Sequence, residues 1–239
     1  MRSLHQPATF QAMTEDLPHQ LTIAVGSATT VSALLIRPPR PRACFVFAHG
    51  AGAGMTHAFM NDVAGGLAAR AIATLRYQFP YMERRSGRPD RPELCHATVR
   101  AAVAEAARLA PDLPLVAGGR SFGGRMTSQA QALEPLPGVH GIAFLGFPLH
   151  PPKKPSLARA EHLRKVSMPM LFVQGTRDAL ADPGLILQAV ERLGSRARLQ
   201  AIEGADHAFH VLARSGRTDA DVLREIADVL ASWIDAVLR

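Results

Sequence analysis

The chain has 239 residues, of which 47% are hydrophobic and 20% charged, and its formal net charge is +7. This composition is ordinary for a soluble globular protein, and the length is sufficient to bury a sizeable core. No apolar run approaches the roughly 18 residues that a membrane span needs, and the first 20 residues lack a secretory signal pattern, so we expect a soluble, cytoplasmic protein.

Strand-like and helix-like segments alternate along the chain. Short apolar runs predict eight strands, at residues 20–26, 30–36, 43–50, 72–80, 113–119, 141–148, 168–175 and 197–204. Apolar residues at helical spacing predict helices at residues 57–71, 93–110, 122–134, 183–194 and 218–239. This order predicts an α/β fold with a mostly parallel sheet, helices on both faces and an antiparallel edge at the N-terminal end.

The sequence predicts a single domain over residues 1–239. Residues 1–20 read as a loosely structured N-terminal extension. Residues 148–167 form a short, proline-rich insert between two predicted strands. Residues 80–92 read as a long charged loop.

Two features of the composition bear on partners. Cys44 and Cys95 are too few for a disulfide framework, and Cys44 lies inside an apolar run, as a core residue does. Arginines supply most of the positive charge, but aromatic residues make up only 5%, so we expect a basic solvated surface and no nucleic-acid partner. Excess positive charge favours anionic substrates by electrostatic steering.

The stretch "GGRSFGG" at residues 118–124 places one serine among four glycines between a predicted strand and a predicted helix. No lysine follows the glycines, so it is not a Walker phosphate loop, and the glycine spacing does not fit a dinucleotide fingerprint. The G-x-S-x-G pattern centred on Ser121 fits a nucleophile elbow, a strained strand-to-helix turn that needs small neighbours. A glycine-rich loop without chemistry is the alternative.

A serine hydroxyl needs a base, and the base needs an acid that orients it. Asp178 and His207 follow Ser121 in the order Ser, acid, His, and each lies just beyond a predicted strand. We therefore predict a triad of Ser121, Asp178 and His207. Asp182 and Asp206 are rival acids, but Asp182 lies further along at a helix start and Asp206 is adjacent to the histidine.

An oxyanion hole is expected from two backbone N–H groups. One belongs to Phe122, which follows the serine. The other is predicted at Ala51, with Gly52 as the alternative, in the glycine-rich loop after the third strand. His49 precedes this turn and is interpreted as structural.

These motifs together resemble the α/β-hydrolase superfamily, and more narrowly a dienelactone-hydrolase-like family. That family includes bacterial predicted hydrolases and the hydrolase-like domains of testis-expressed and non-specific-lethal-complex proteins. The stretches that carry the resemblance are "HGAGAGMTHAFM", "LRYQFPYMERRSGRPDRP", "GGRSFGGRM", "GFPLHPPKKPSLARAEHL", "LFVQGTRDAL" and "GADHAF". The resemblance implies an eight-stranded sheet, a short or minimal cap at the insert and the triad named above. Dienelactone hydrolases proper use a cysteine nucleophile, so their substrate does not carry over to a chain with Ser121.

Other polar residues near the predicted strand ends suggest further roles. Arg76, Arg120 and Arg125 can each bind a substrate carboxylate or form a structural ion pair, and Arg120, beside the serine, is the substrate-binding candidate. His150 and His162 in the insert suggest a metal, but a third ligand is missing, so no metal and no cofactor are expected.

The sequence therefore predicts a serine hydrolase acting on a small ester, lactone or related acyl compound, as a monomer or homodimer. A binding or scaffold protein on a hydrolase fold is the alternative. A peptidase is a third reading, disfavoured because no propeller or large cap precedes the catalytic residues.

Overall fold

The computed structural model describes residues 18–239, in which eight strands form one sheet. The strands are β1 (His19–Val25), β2 (Thr29–Ile36), β3 (Ala43–Ala48), β4 (Ile72–Tyr77), β5 (Leu115–Arg120), β6 (Val139–Leu145), β7 (Met170–Gly175) and β8 (Ala197–Ile202). The α-helices are α1 (Ala58–Ala68), α2 (Pro80–Glu83), α3 (Pro92–Leu109), α4 (Phe122–Leu133), α5 (Pro183–Leu193) and α6 (Asp219–Val237). Short 3-10 helices cover Ala158–Lys165, Gly194–Arg196 and Ala213–Ser215.

The strands lie in the order β1-β2-β4-β3-β5-β6-β7-β8. β2 is antiparallel to both β1 and β4, and the remaining neighbours are parallel. The predicted α/β fold with a mostly parallel eight-stranded sheet and an antiparallel edge is confirmed. Because β3 to β8 run the same way, their carboxyl ends meet at one edge of the sheet, where α/β proteins place their ligands.

Helices cover both faces of the sheet, and alternate strand residues point to opposite faces. In β6, Leu145 packs with the residues of α1 and α6, whereas Ile142 and Phe144 pack with α5. α3 and α4 cover β3, β4 and β5 on the same side as α5. Strands buried on both faces explain why the parallel strands read as continuous apolar runs.

Helix ends follow from local side-chain chemistry. Thr218 and Asp221 form a capping box at the start of α6, in which each side chain accepts from the other's backbone N–H. Asp182 caps α5 by accepting from the N–H groups of Gly184 and Leu185, both at 3.0 Å.

The chain between β6 and β7 contains the 3-10 helix Ala158–Lys165 as its regular structure, so the cap is short, as predicted. Leu163 and Val166 are buried, and the segment packs against α4 and α5. His162 ties it to α4, because its Nε2 lies 2.8 Å from Oγ of the buried Ser128.

Two boundaries differ from the prediction. Residues 80–92 begin with the helix α2, started by Pro80, whose fixed φ suits the first helical position. The predicted extension over residues 1–20 lies outside the described residues up to position 17, but its last two residues belong to β1.

In residues 18–239 none of the helices combines the length and the apolar character that crossing a lipid bilayer requires.

Candidate active site

Ser121, Asp178 and His207 lie at the carboxyl-end edge of the sheet. Ser121 follows β5 directly, Asp178 comes three residues after β7, and His207 comes five residues after β8. β5, β6, β7 and β8 are consecutive in the sheet, so three residues that are far apart in sequence lie together.

Ser121 lies on a strained turn between β5 and α4. Its backbone has φ 47° and ψ −114°, a region that residues with a side chain rarely adopt. Its N–H donates to the carbonyl of Leu145 in β6 at 3.0 Å, which fixes the turn to the sheet. The turn lifts the hydroxyl above the strand end, and the N-terminal end of α4 favours negative charge there.

The glycines around Ser121 allow the turn to approach β3. A Cβ on Gly119 would lie 2.5 Å from the carbonyl oxygen of Ala48, and one on Gly123 would lie 2.5 Å from that of His49. Both contacts are with backbone, which cannot rotate away. The two glycines of the G-x-S-x-G pattern are therefore required by packing.

Substituting Gly119→Ala is expected to lower the free energy of unfolding by about 3 kcal/mol, because a methyl group forced against a backbone carbonyl strains both strands. Gly65→Ala in α1 is the matched control. Apart from the neighbouring backbone of its own helix, no atom lies within 4 Å of the Cβ built there, so the change is expected to stabilise by about 0.5–1 kcal/mol. Urea unfolding of the three proteins measures both effects. Equal stability of the Gly119 variant and the control would contradict the packing argument.

Two hydrogen bonds connect the three side chains. Oγ of Ser121 lies 2.9 Å from Nε2 of His207, and Nδ1 of the same ring lies 2.7 Å from Oδ2 of Asp178. A carboxylate only accepts, so Nδ1 carries the proton and Nε2 is free to accept from the serine hydroxyl. The His207 side chain is 26% exposed and that of Asp178 is fully buried.

Asp178 is held in place by two further donors. Its Oδ1 accepts from the N–H of Leu180 at 2.7 Å, and its Oδ2 also accepts from the amide of Gln174. Gln174 was not predicted as part of the site. The sequence signal was a glutamine within the otherwise apolar run of β7, and the structure shows that this glutamine is buried.

The rival acids have other partners. Asp182 caps α5, as described above. Asp206 accepts from the N–H groups of Ala208 and His210, at 2.8 and 3.0 Å, and so forms the turn that presents His207. Of the three aspartates, the geometry brings Asp178 to the imidazole.

His49 fixes the loop that is expected to supply the second oxyanion donor. Its buried ring donates from Nδ1 to the carbonyl of Gly50 at 2.8 Å and accepts at Nε2 from the N–H of Phe79 at 3.1 Å. This loop lies against the turn that contains Ser121, since a Cβ on Gly50 would lie 3.7 Å from the Arg120 carbonyl oxygen. Ala51 is exposed on the loop, and its role as a donor stays a prediction.

Two residues of the β4 region brace the far end of the same loop. Gln78 accepts from the N–H of Met55 at 2.8 Å. Arg76, which is buried, donates from Nη1 to the carbonyl of Met55 at 3.2 Å and to the side chain of Asn61. Arg76 therefore stabilises the loop, and its Nη1 is used in these structural hydrogen bonds.

Arg120 packs against helix α1 beside the site. Its guanidinium carbon lies 4.7 Å from the ring centroid of Phe59, which stacks on Phe209 at 5.5 Å. Burial lowers the pKa of Arg120, and the negative charge of Asp206 partly offsets this. The predicted role of Arg120 in substrate binding stays a prediction.

The two histidines considered as metal ligands have separate partners. His150 accepts at Nε2 from the N–H of Asp182 at 2.8 Å, whereas His162 bonds Ser128. Within residues 18–239 the structure contains no group of three metal-ligating side chains.

His49 and His162 give the protein an acid sensitivity that can be measured. Burial lowers the pKa of each from 6.5 to about 4, with the charge of Arg125 as a second cause for His162. Between pH 6.5 and 4 the unfolded chain binds more protons at these residues, so stability falls as pH falls through this window. Above pH 6.5 the two make no pH-dependent contribution.

We expect His162→Gln to reduce the loss of unfolding free energy between pH 7 and pH 4.5 by about 1–2 kcal/mol. Glutamine can still accept from the Ser128 hydroxyl but does not titrate. Urea unfolding at both pH values measures the loss, with the exposed His140→Gln as control. A loss that is the same in the wild type and the His162 variant would exclude this source of acid sensitivity.

Comparison with known proteins places this geometry in context. The chain matches the alpha/beta hydrolase domain family over residues 41–235, a segment that contains Ser121, Asp178 and His207. The expected resemblance to dienelactone-hydrolase-like α/β hydrolases is confirmed.

Solved structures share the fold at low sequence identity. Dienelactone hydrolase from Anabaena variabilis is 21% identical with a TM-score of 0.72, over 92% of this chain and 98% of that chain. XC6422 from Xanthomonas campestris, described as a serine hydrolase without lid, is 19% identical with a TM-score of 0.70, over 93% and 96%. An esterase domain from Rhodothermus marinus is 16% identical with a TM-score of 0.69, over 90% and 97%.

Proposed function

The chain belongs to the alpha/beta hydrolase domain family, and from this premise we propose that it is a serine hydrolase that cleaves a small ester, lactone or related acyl substrate through an acyl-enzyme. The observation that carries the proposal is the unbroken pair of hydrogen bonds from Ser121 through His207 to Asp178. A serine bonded to an oriented imidazole is the arrangement that activates a hydroxyl.

In the first half of the reaction, Oγ of Ser121 attacks the substrate carbonyl carbon while Nε2 of His207 takes the hydroxyl proton. The carbonyl π electrons move to oxygen and form a tetrahedral oxyanion. Asp178 stabilises the imidazolium that results and keeps its Nδ1–H in place. When the oxyanion collapses, the bond to the leaving oxygen breaks and that oxygen takes the proton from Nε2.

In the second half, a water molecule gives a proton to Nε2 and adds to the acyl carbon. Collapse of this second tetrahedral species releases the carboxylic acid and returns the proton to Oγ of Ser121. Each half begins and ends with a neutral His207, so no other proton donor is required.

We propose two backbone donors for the oxyanion. Phe122 is the first residue of α4, where the N–H groups have no partner inside the helix. The loop with Ala51 lies against the same turn, which supports Ala51 as the second donor. Loss of one such donor typically costs about 10²–10³ in kcat.

A fluorophosphonate probe tests the proposed nucleophile directly. We expect the probe to add its mass to the wild type, and peptide mapping to locate it on Ser121. Ser128→Ala is the matched control, because Ser128 is also bonded to a histidine but is fully buried. The control is expected to be labelled like the wild type and Ser121→Ala to stay unlabelled.

Substrate class is then found with a panel of short-chain p-nitrophenyl esters and small lactones. The panel reflects the similar structures, which include a dienelactone hydrolase and an esterase domain. Folded protein that is neither labelled nor active on any member of the panel would refute the proposal.

A further inference from the structure

A second arginine lies one helical turn beyond the nucleophile. The backbone N–H of Arg125 bonds the carbonyl of Ser121 at 3.2 Å, so the two residues share a face of α4. Helical side chains lean toward the N-terminus, which carries the Arg125 side chain back over the turn with Ser121. Its guanidinium carbon lies 5.9 Å from the ring of Phe122, the residue of the first proposed oxyanion donor.

Arg125 is half-buried but lacks the partners that a buried cation requires. Its Nε atom is shielded from solvent and has no hydrogen-bond partner within residues 18–239. Across the same residues, its guanidinium has no carboxylate at ion-pair distance. A buried charge without a counter-ion destabilises a fold, so a structural ion pair does not explain Arg125.

A further arginine adds to the positive charge at this place. Arg159, on the 3-10 helix of the insert, is half-buried and donates from Nη1 to the carbonyl of Pro148 at 3.2 Å. Pro148 is two residues beyond Gly146, where a Cβ would lie 3.5 Å from the ring of His207. Arg159 is therefore anchored to the chain just after β6, two residues from the glycine that lies against the His207 ring.

The charges of the two arginines are not neutralised by their surroundings. Burial lowers the pKa of Arg125, and the neighbouring positive charge of Arg159 lowers it further. His162 and His96 lie close by, and burial lowers the pKa of each, so both are neutral near pH 7. In the described part of the chain, Arg159 has no ion pair with a carboxylate either.

We propose that Arg125 and Arg159 form an anion-binding subsite next to Ser121 and that the substrate carries a carboxylate that this subsite binds. This inference rests on the proposed function, because it names the class of acyl compound that the same site takes. A guanidinium binds a carboxylate through paired N–H donors, and an anion between the two arginines removes their mutual repulsion.

Arg120 is less suited to this role. Its guanidinium carbon lies 4.7 Å from the ring centroid of Phe59, closer than the 5.9 Å between Arg125 and Phe122, and the negative charge of Asp206 acts on it. Arg125 lacks such a carboxylate. The structure therefore favours Arg125 over the arginine that the sequence singled out.

Binding is tested first, without turnover. Isothermal titration calorimetry measures adipate binding to Ser121→Ala, and the same titration is repeated with Arg125→Gln, Arg159→Gln or Arg120→Gln added. We expect Arg125→Gln and Arg159→Gln each to weaken adipate by about 10–100-fold, the loss typical of a charged hydrogen-bond partner. Arg164→Gln is the control, because Arg164 lies on the same 3-10 helix but is exposed beside Glu161.

Kinetics then compare anionic and neutral esters as a ratio of kcat/KM. One pair places the carboxylate on the acyl side, mono-p-nitrophenyl adipate against p-nitrophenyl hexanoate. The other places it on the leaving group, p-carboxyphenyl acetate against its methyl ester. We expect the wild type to prefer the anionic member in one pair by at least about tenfold, and Arg125→Gln to remove that preference while Arg164→Gln retains it.

Stability separates this role from a structural one. Because Arg125 is unpaired, Arg125→Gln is expected to leave the Tm of the unliganded protein unchanged or raised, whereas loss of a structural ion pair would lower it. No adipate binding by Ser121→Ala, or equal effects of the Arg125, Arg159 and Arg164 variants, would overturn the proposal. Weakening by Arg120→Gln alone would overturn it in favour of Arg120.

The two proposals fail in different ways. Adipate binding that depends on Arg125, in a protein without probe labelling or esterase activity, would retain the anion subsite and refute the hydrolase mechanism. Labelling of Ser121 in a protein without anion preference or adipate binding would support the hydrolase mechanism and refute the anion subsite.

Discussion

Replacing Ser121 by alanine is expected to lower kcat for the best ester of the panel by about 10⁵–10⁶-fold, since the attacking oxygen is removed while the rest of the site remains. Within residues 18–239, the only side-chain hydrogen bond lost is the one to Nε2 of His207. The fold should therefore persist, and substrate should still bind. Initial rates at saturating substrate, with circular dichroism as a check of folding, measure this effect.

A second variant at the same position separates chemistry from strain. Ser121→Gly also lacks the nucleophile, but glycine adopts a φ of 47° without steric cost. We expect Ser121→Gly to be as inactive as Ser121→Ala. Its free energy of unfolding should exceed that of Ser121→Ala by about 1 kcal/mol, so that its Tm is higher. An alanine variant that retains a tenth of the wild-type kcat would mean that another group is the nucleophile.

Asp178→Asn is expected to lower kcat by about 10⁴-fold, because the substitution reverses the tautomer of His207. The asparagine oxygen can still accept from the N–H of Leu180, which turns its NH₂ group toward Nδ1 of the imidazole. Two donors then face each other, so the ring proton moves to Nε2. A protonated Nε2 cannot take the proton of Ser121.

The control for this variant is Asp182→Asn. Asparagine caps a helix about as well as aspartate, so neither kcat nor stability should change appreciably. The rates of both variants are measured on the same ester. A large loss of kcat with Asp182→Asn and a small one with Asp178→Asn would show that Asp182, and not Asp178, orients the imidazole.

Periodicity and spacing predicted most of the secondary structure and the fold class. Strand runs such as residues 168–175 are short, apolar and bounded by glycine or proline, and parallel strands buried on both faces leave this pattern. The sequence could predict that Ser121, Asp178 and His207 lie close together. Each follows such a run, and the carboxyl ends of parallel strands meet at one edge of the sheet.

Other features depend on contacts that a sequence does not display. The order of strands, with β4 between β2 and β3, depends on which edges pair. The bond from Gln174 to Asp178 depends on the path of the chain after β7. Arg125 and Arg159 are 34 positions apart, and their proximity depends on the insert folding back against α4.

The packing of the turn that contains Ser121 against β3 also indicates where the protein can be altered by directed evolution. The N–H of Ser121 bonds the carbonyl of Leu145 in β6, and the glycines on either side of it pack against the carbonyl groups of Ala48 and His49 at the end of β3. Random libraries over exposed positions of loops 51–57 and 151–157 are therefore expected to leave the position of Ser121 unchanged. Libraries over residues 117–124 are expected to yield mostly unfolded chains.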